Sequence, residues 1–542
     1  MPNKRILLNG KIYTVDKKNP WAEAIVIEGN KIAYIGSNEG AKSFADGDSS
    51  VEDLGGRLVT PGLIDGHIHA ISAVVFNCVI MISAASDLEG IKATIKAYMD
   101  AHPNLPAYMG MGWADAYFGE VGPNKAILDE ICPDKPMAIL SASGHCGWAN
   151  SKALEAAGID KNHPDPNPAA GHIYMRDAEG NPTGYFKESS TLNEVLGAAK
   201  YIDDSALEEA AIMLGKRCAE TGITAVFDCG NYDFCEYLMN DALMEELEHA
   251  DNPVRVDACG LIGNKENINN ALAESIKLKR LYHTDKFRCT FLKILNDGTL
   301  ENFSAAMPNA YPDAPVVQPM MSVDELVHWG EEAAKAGLDL NVHSIGSVTV
   351  HYLLEAAGIL RSKGYDDLRI ICSHSSYVFD EDLPLFAKYR VVANSTGKWF
   401  ADLGEEYNDL VSGISKANPY PMGTIRKLGA KLSLSSDYPT DVLTFYPMPN
   451  MEVAITRQRI GDKDGFVHEV QDRLTLEEVL EAYTINNAYE MRMEDRLGSL
   501  EVGKLADLVV FEDNLFEIDP YSIHDAKVHE TIMDGKTRYK RA

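Results

Sequence analysis

The chain has 542 residues, 45% apolar and 24% charged, a composition that supports a large buried core without disulfide staples. Its 50 basic and 81 acidic residues leave a formal charge of -31, which repels phosphate backbones and anionic lipids and argues against nucleic-acid and membrane partners. The acidic residues are spread along the chain with no acidic tail, so the charge reads as a solvated surface. Nine scattered cysteines with no C-x-x-C pair argue against a disulfide framework and a cysteine zinc site. That cysteine usage, and the lack of an apolar run long enough for a signal peptide or a membrane span, predict a cytoplasmic protein.

The first 57 residues read as short strands joined by turns. RILLNGKIYTV and AEAIVIEGNKIAYIG are each broken by Asn-Gly or Gly-Asn, the dipeptides of tight hairpins. The far end has the same texture, in LADLVVFED (505–513) and VHETIMDGKTRYK (528–540), so the two ends are expected to meet as one small β domain of residues 1–58 and 495–542. Between them, residues 59–494 alternate short apolar runs with helical patterns, which implies βα units and a parallel sheet. Eight runs stand out: 62–70, 222–230, 254–262, 289–297, 338–346, 368–376, 390–397 and 431–439. Helical patterns such as DELVHWGEEAAKAG (324–337) precede most of them, and eight strands with intervening helices suit a (β/α)8 barrel of the α/β class. The gap after the first run is too long for one crossover helix, so an insertion of about residues 75–200 is expected, with its own strands in PAYMGMGWA and PMAILSASG.

Groups able to bind metal fall near the C-terminal ends of several runs: His67 and His69 in the first, Lys293 in the fourth, His343 in the fifth, His374 in the sixth and Asp437 in the eighth. Residues two apart in a strand face the same way, so His67 and His69 can aim at one point in the barrel mouth. That mouth is where barrel enzymes place their chemistry, and imidazoles with a carboxylate suit zinc or another divalent transition metal while leaving positions open for water. A lone histidine or lysine in an apolar strand is more often a hydrogen-bonded structural residue, and a lone Asp437 before Pro439 would be a turn or helix cap. The coincidence of such residues at matching strand ends outweighs those separate explanations.

VTPGLIDGHIHA (59–70) resembles the opening strand of the amidohydrolase superfamily, and LGSLEVGKLADLVVFE (497–512) resembles its closing segment. SGHCGWANSKAL, GNPTGYFKES, FLKILNDG, NVHSIGS, SSDYP and LTLEEVLEAYTINNAY are most similar to its YtcJ-like branch, amidohydrolase family 3, which includes N-substituted formamide deformylases. The resemblance covers essentially the whole chain. It implies a distorted TIM barrel carrying a small β-sandwich built from both termini. His67 and His69 are then ligands of one metal, His343 and His374 ligands of a second, and Asp437 a ligand and proton shuttle. Lys293 aligns with a lysine that is carboxylated and bridges two metals in many members; the alternative is a mononuclear site in which Lys293 serves as a salt-bridge or substrate group. The cofactor expected is a divalent metal, Zn2+ foremost, one or two per chain, and a homodimer is the family's implication. Two positions depart from the pattern. Ser347 stands where the family usually has an aspartate, and Ser373 stands where a glutamate commonly precedes the sixth-strand histidine.

The expected reaction is hydrolysis of a non-peptide, amide-like C–N bond of a small organic substrate by a metal-activated hydroxide. Asp437 would move the proton and His374 or His145 would support the oxyanion. The insertion is expected to supply a substrate pocket from Trp113, Tyr117, Phe118, His145, Trp148, Asn150 and Glu188, against which plain core packing is the bland reading of the tryptophans. A deaminase or cyclic-amide hydrolase on the same barrel is the first alternative. A non-catalytic binding protein that keeps the fold is the second.

Overall fold

The computed structural model describes the chain apart from residues 1–3, 84–85, 120, 143–145, 167, 169–170, 203, 231–246, 250, 264–267, 301–302, 312–315, 403–416 and 440–444. Each of the eight apolar runs forms a strand: β1 (Leu63–Ile68), β2 (Ile223–Asp228), β3 (Arg255–Ile262), β4 (Phe287–Leu295), β5 (Asp339–Ser344), β6 (Ile370–His374), β7 (Val391–Thr396) and β8 (Leu432–Ser435). They form one parallel sheet in sequence order, the arrangement of a nearly closed TIM barrel. Strands buried on both faces read as near-continuous apolar runs, which is why they were visible in the sequence. Phe227 of β2 and Phe291 of β4 stack at 3.8 Å between ring centroids inside this core.

The helices that matter below are α1 (Val323–Lys335), α2 (Ser347–Ser362), α3 (Trp399–Asp402), α4 (Pro447–Thr456) and α5 (Ile485–Glu490). The start of α1 is fixed by a capping box in which Ser322 and Glu325 satisfy each other's backbone N–H groups. Its Leu326, Val327, Trp329 and Ala333 supply the buried stripe that the helical pattern predicts.

Strand β8 returns to β1 through polar bonds. The Asp437 N–H donates to the His67 carbonyl and the His69 N–H to the Tyr438 carbonyl, both at 2.8 Å. From α5, the Asn487 amide donates to the carbonyls of Ile64 (2.5 Å) and Leu434 (2.9 Å), tying the first strand to the last. These bonds place the two histidines and the aspartate, 368 or more residues apart in sequence, at one point.

Strands from both termini build two further sheets. Lys4–Leu8 pairs with Ala24–Glu28 and Ser49–Asp53. In the other sheet, Leu58–Pro61 runs antiparallel to Leu508–Phe511, so the N-terminal and C-terminal segments share one ladder. Ile12, Ile25, Leu508 and Ile532 pack in one buried cluster at this junction. By its contacts the described chain divides into two compact units, one of residues 1–70, 215–230 and 247–542, the other of residues 71–214 with 231–246. The second unit has its own six-stranded sheet, which includes Tyr108–Trp113, Met137–Ser141 and Cys146–Ala149. Among the described residues no helix is long and apolar enough to cross a membrane.

Candidate metal centre

His67, His69 and Asp437 bring one ligand atom each to within 4.8 Å of one another. Both imidazole Nε2 atoms lie 3.3 Å from the same carboxylate oxygen, Asp437 Oδ1. The other ring nitrogens decide the tautomers. His69 Nδ1 lies 2.7 Å from the carbonyl oxygen of Gly230, which can only accept, so Nδ1 carries the proton. Gly230 has φ +99°, and a Cβ there would come within 2.8 Å of Leu261 Cβ, so only glycine turns its carbonyl this way without strain.

His67 Nδ1 lies 3.1 Å from Ser373 Oγ. The single hydroxyl proton of Ser373 goes to Asn341 Oδ1 at 2.6 Å, and Lys293 Nζ donates to the same Oγ at 3.1 Å. Ser373 can therefore only accept from His67, and Nδ1 again holds the proton. Both Nε2 atoms then face Asp437 Oδ1, a buried oxygen with no hydrogen-bond partner among the described residues. These three atoms share that space only with a positive charge between them, a proton on one ring or a metal ion. A divalent metal suits this donor set, with nitrogen and oxygen ligands and outer hydrogen bonds that fix the rings.

The electrostatics agree with that reading at His67 and His374. Burial holds the His67 and His374 imidazoles well below their ordinary range, reinforced by Lys293 and the neighbouring histidines, so both are neutral and able to bind metal. At His69 burial also pulls down, yet the Asp437 carboxylate outweighs it and favours the protonated ring, so a metal bound there displaces the Nε2 proton. Burial pushes the Lys293 ammonium down towards the neutral amine, against the pull of Cys229 and Asp437.

His343 and His374 complete a row of rings. His374 lies 4.8 Å from His67 and 4.4 Å from His343 between centroids, and Trp399 of α3 lies 5.5 Å beyond it. His374, Ser375 and Asp437 all have positive φ, at +75°, +42° and +54°. Non-glycine residues hold that conformation at a cost of about 1–3 kcal/mol each, and such strain gathers where a site dictates the geometry.

Asp297, just beyond β4, was not singled out as a site residue in the sequence. Its Oδ1 lies 3.1 Å from His343 Nδ1 and accepts from the Ile345 N–H, while Oδ2 accepts from the Gly346 and Ala306 N–H groups and the Thr349 hydroxyl. One carboxylate thus orients a histidine and caps the start of α2, whose own N-cap, Gly346, has no side chain to do so. The serine at 347 contacts the Met307 sulfur instead (3.6 Å), so the carboxylate at this helix end comes from another strand. The asparagine-aspartate pair in KILND was the only signal, and nothing local in the sequence distinguishes it from a turn.

The remaining candidates lie in the second unit. Asn150 has no capacity for a substrate. It is buried, its Oδ1 accepts from the Met137 and Ala153 N–H groups, and its Nδ2 donates to the carbonyls of Cys132 and Lys135. Those bonds cap the helix Ser151–Ala156, a role the sequence reading overlooked. Trp113 is also corrected: it is buried with Trp148 and Tyr185 in that unit's core, and its indole N–H donates to the Ile139 carbonyl (3.2 Å). Tyr117 is exposed, and its hydroxyl accepts from the Leu88 N–H (2.7 Å). Glu188 has φ +69° at the start of the helix Ser189–Gly197, and its side chain does not cap that helix. His145 lies outside the described residues.

The fold and this cluster define a barrel hydrolase class, and comparison with known proteins narrows it. The profile of the amidohydrolase family matches residues 50–539, and the chain belongs to that family. It is 30% identical over 399 residues to the exoenzymes regulatory protein AepA of Pectobacterium carotovorum, covering 72% of this chain and 84% of that one. It is 25% identical to the N-substituted formamide deformylase of Arthrobacter pascens, covering 99% of this chain and 98% of that enzyme. A crystal structure of an uncharacterized metal-dependent hydrolase from Pyrococcus horikoshii has the same fold, with a TM-score of 0.74 and 22% identity over 95% of this chain and 99% of that one.

Proposed function

We propose that the protein is a metal-dependent hydrolase that cleaves a non-peptide, amide-like C–N bond of a small organic molecule. The convergence of two imidazole Nε2 atoms on the buried Asp437 Oδ1 carries the reading. His67, His69 and Asp437 would hold the first divalent ion, zinc being the expected one, and His343 and His374 would hold a second. When bound, the metal acidifies a water and polarises the carbonyl to be attacked.

The chain's own residues supply the rest. Asp437 takes the proton from the attacking water and returns it to the leaving amine. His374, at the end of β6 beside Trp399, would support the charge that develops on the carbonyl oxygen. Lys293, buried and drawn towards the neutral amine, is suited to react with carbon dioxide. The resulting carbamate would place two oxygens and a negative charge among the histidines. The similarity to N-substituted formamide deformylase supports an exocyclic amide as substrate.

The test is a product-mass assay on a panel of N-substituted formamides and other small amides, with zinc-loaded and chelated protein. Cleavage into an acid and an amine, abolished by chelation and restored by metal, is expected. Release of ammonia, or addition of water without splitting, would move the assignment to a deaminase or cyclic-amide hydrolase. Activity indifferent to chelation would overturn it.

A further inference from the structure

Asn341 lies on β5 two residues before His343, so the two side chains face the same way, and it is fully buried. In the ladder it stands opposite Lys293 of β4, while β6 on its other side carries Ser373. A buried amide is costly unless it is hydrogen-bonded, and Asn341 uses both ends. Its Oδ1 accepts from the Ser373 hydroxyl at 2.6 Å, and its Nδ2 donates to the Cys229 sulfur at 3.7 Å. Two further polar atoms stand around Ser373 Oγ, His67 Nδ1 and Lys293 Nζ, each at 3.1 Å. A hydroxyl has one proton to give and two lone pairs with which to receive. The amide oxygen can only accept, so it takes the hydroxyl proton and leaves both lone pairs for the His67 and Lys293 N–H groups. Turned over, the amide would press its NH2 against Ser373, and the hydroxyl proton could then go only to His67 Nδ1 or to a neutral Lys293.

We infer that Asn341 is a positioning residue for the metal centre: through the Ser373 hydroxyl it keeps the proton of His67 on Nδ1 and leaves Nε2 free to bind the metal. The inference rests on the reading that His67 is a metal ligand. A carboxylate at position 373 could only accept and would need no helper. A serine can accept or donate, so a second residue has to settle where its proton points, and Asn341 is the one within reach. Without the amide oxygen the hydroxyl is free to donate to His67 Nδ1. The ring proton then sits on Nε2, the atom 3.3 Å from Asp437 Oδ1, and bonds to that carboxylate. A metal arriving at Nε2 has to displace it, so affinity falls although no ligand has been removed.

Leucine has nearly the shape of asparagine, and valine that of threonine, so substitutions can separate hydrogen bonding from packing. The experiment is a chelator-competition measurement of zinc affinity on the full-length protein. Asn341→Leu and Ser373→Val are each expected to weaken zinc binding by about tenfold or more, while Ser373→Thr, which keeps the hydroxyl, stays near the wild type. The double variant Asn341→Leu with Ser373→Val should bind no more weakly than Ser373→Val alone, because Asn341 acts through that hydroxyl. Nitrogen-15 shifts of the His67 ring in zinc-free protein, identified by their loss in His67→Gln, read the proton directly. It is expected on Nδ1 in the wild type and on Nε2 in Asn341→Leu, whereas a packing role would lower the Tm and leave the proton in place. Unchanged affinity in Asn341→Leu, additive losses in the double variant, or a ring proton that the substitution does not move would overturn the inference. So would a proton found on Nε2 in the wild type, which keeps the test open where a variant fails to fold. A wild type that binds no zinc would overturn the metal reading itself and this inference with it.

Discussion

The two halves of the barrel mouth are built on different terms. On one side, His67, His69 and Asp437 present three acceptor atoms with every outer hydrogen bond already assigned, so the half-site calls for a cation by itself. On the other, His343, His374 and Lys293 bring two imidazoles and an amine but no carboxylate of their own, and the Asp297 carboxylate is spent on His343 and the start of α2. The first half has its negative charge in Asp437; the second must acquire one before it can hold a metal firmly. A carbamate on Lys293 would provide it, which makes the second half conditional where the first is complete.

Removing the charge from the complete half should have the largest effect. Asp437→Asn keeps the size of the side chain but can no longer shuttle a proton, so kcat is expected to fall by about 10³-fold while bound metal remains measurable. Near wild-type kcat in that variant, read beside its metal content, would remove Asp437 from the chemistry. Lys293→Ala should split the halves: with bicarbonate present, metal per chain drops from two to one by elemental analysis. One metal in both proteins, with or without bicarbonate, would reject the bridged pair and leave the first half as the whole site.

A smaller effect is expected from the carboxylate behind His343. Asp297→Asn removes the charge that orients the ring and should weaken metal binding by about 10- to 100-fold, the usual result of losing such an outer partner. Because Asp297 also caps α2, the affinity has to be read beside the melting temperature. An affinity loss confined to one of two bound metals would place His343 in the conditional half. Equal loss at both would show that the halves are mechanically joined, with Ser373 the evident link, since it touches both Lys293 and His67.

The barrel was legible because its strands are buried on both faces and declare themselves as apolar runs, and the positions of the histidines followed from strand parity. The outer partners were not legible. Asp297, Gly230, Asn341 and Ser373 reach their histidines or one another from different strands, and no local spacing records those meetings. Asn150 misled for the opposite reason. A polar residue beside a tryptophan resembles a pocket, yet the backbone groups it satisfies are up to 18 residues away in sequence. Departures at Ser347 and Ser373 looked like losses when read singly. In three dimensions one is covered by Asp297 and the other is a hydrogen-bond hub.

The smallest effect on activity is expected at Glu490 of α5, where the readout is stability. Asn394 donates to Ser433, which donates to Glu490 Oε1 on α5 at 2.6 Å, and the second oxygen of Glu490 is buried without a partner among the described residues. Burial pushes this carboxyl from 4.5 up to about 8, against the Ser433 bond and the Lys293 charge. An acid whose pKa is higher in the folded state binds more protons folded than unfolded, so its contribution to stability declines as pH rises from about 4.5 to about 8. Glu490→Gln keeps an oxygen for Ser433 and cannot titrate. Its melting temperature should therefore fall less steeply than that of the wild type across that window, with the two curves closest at the acid end. Parallel curves would mean that Glu490 is already ionised in the fold and that its buried oxygen has a partner after all.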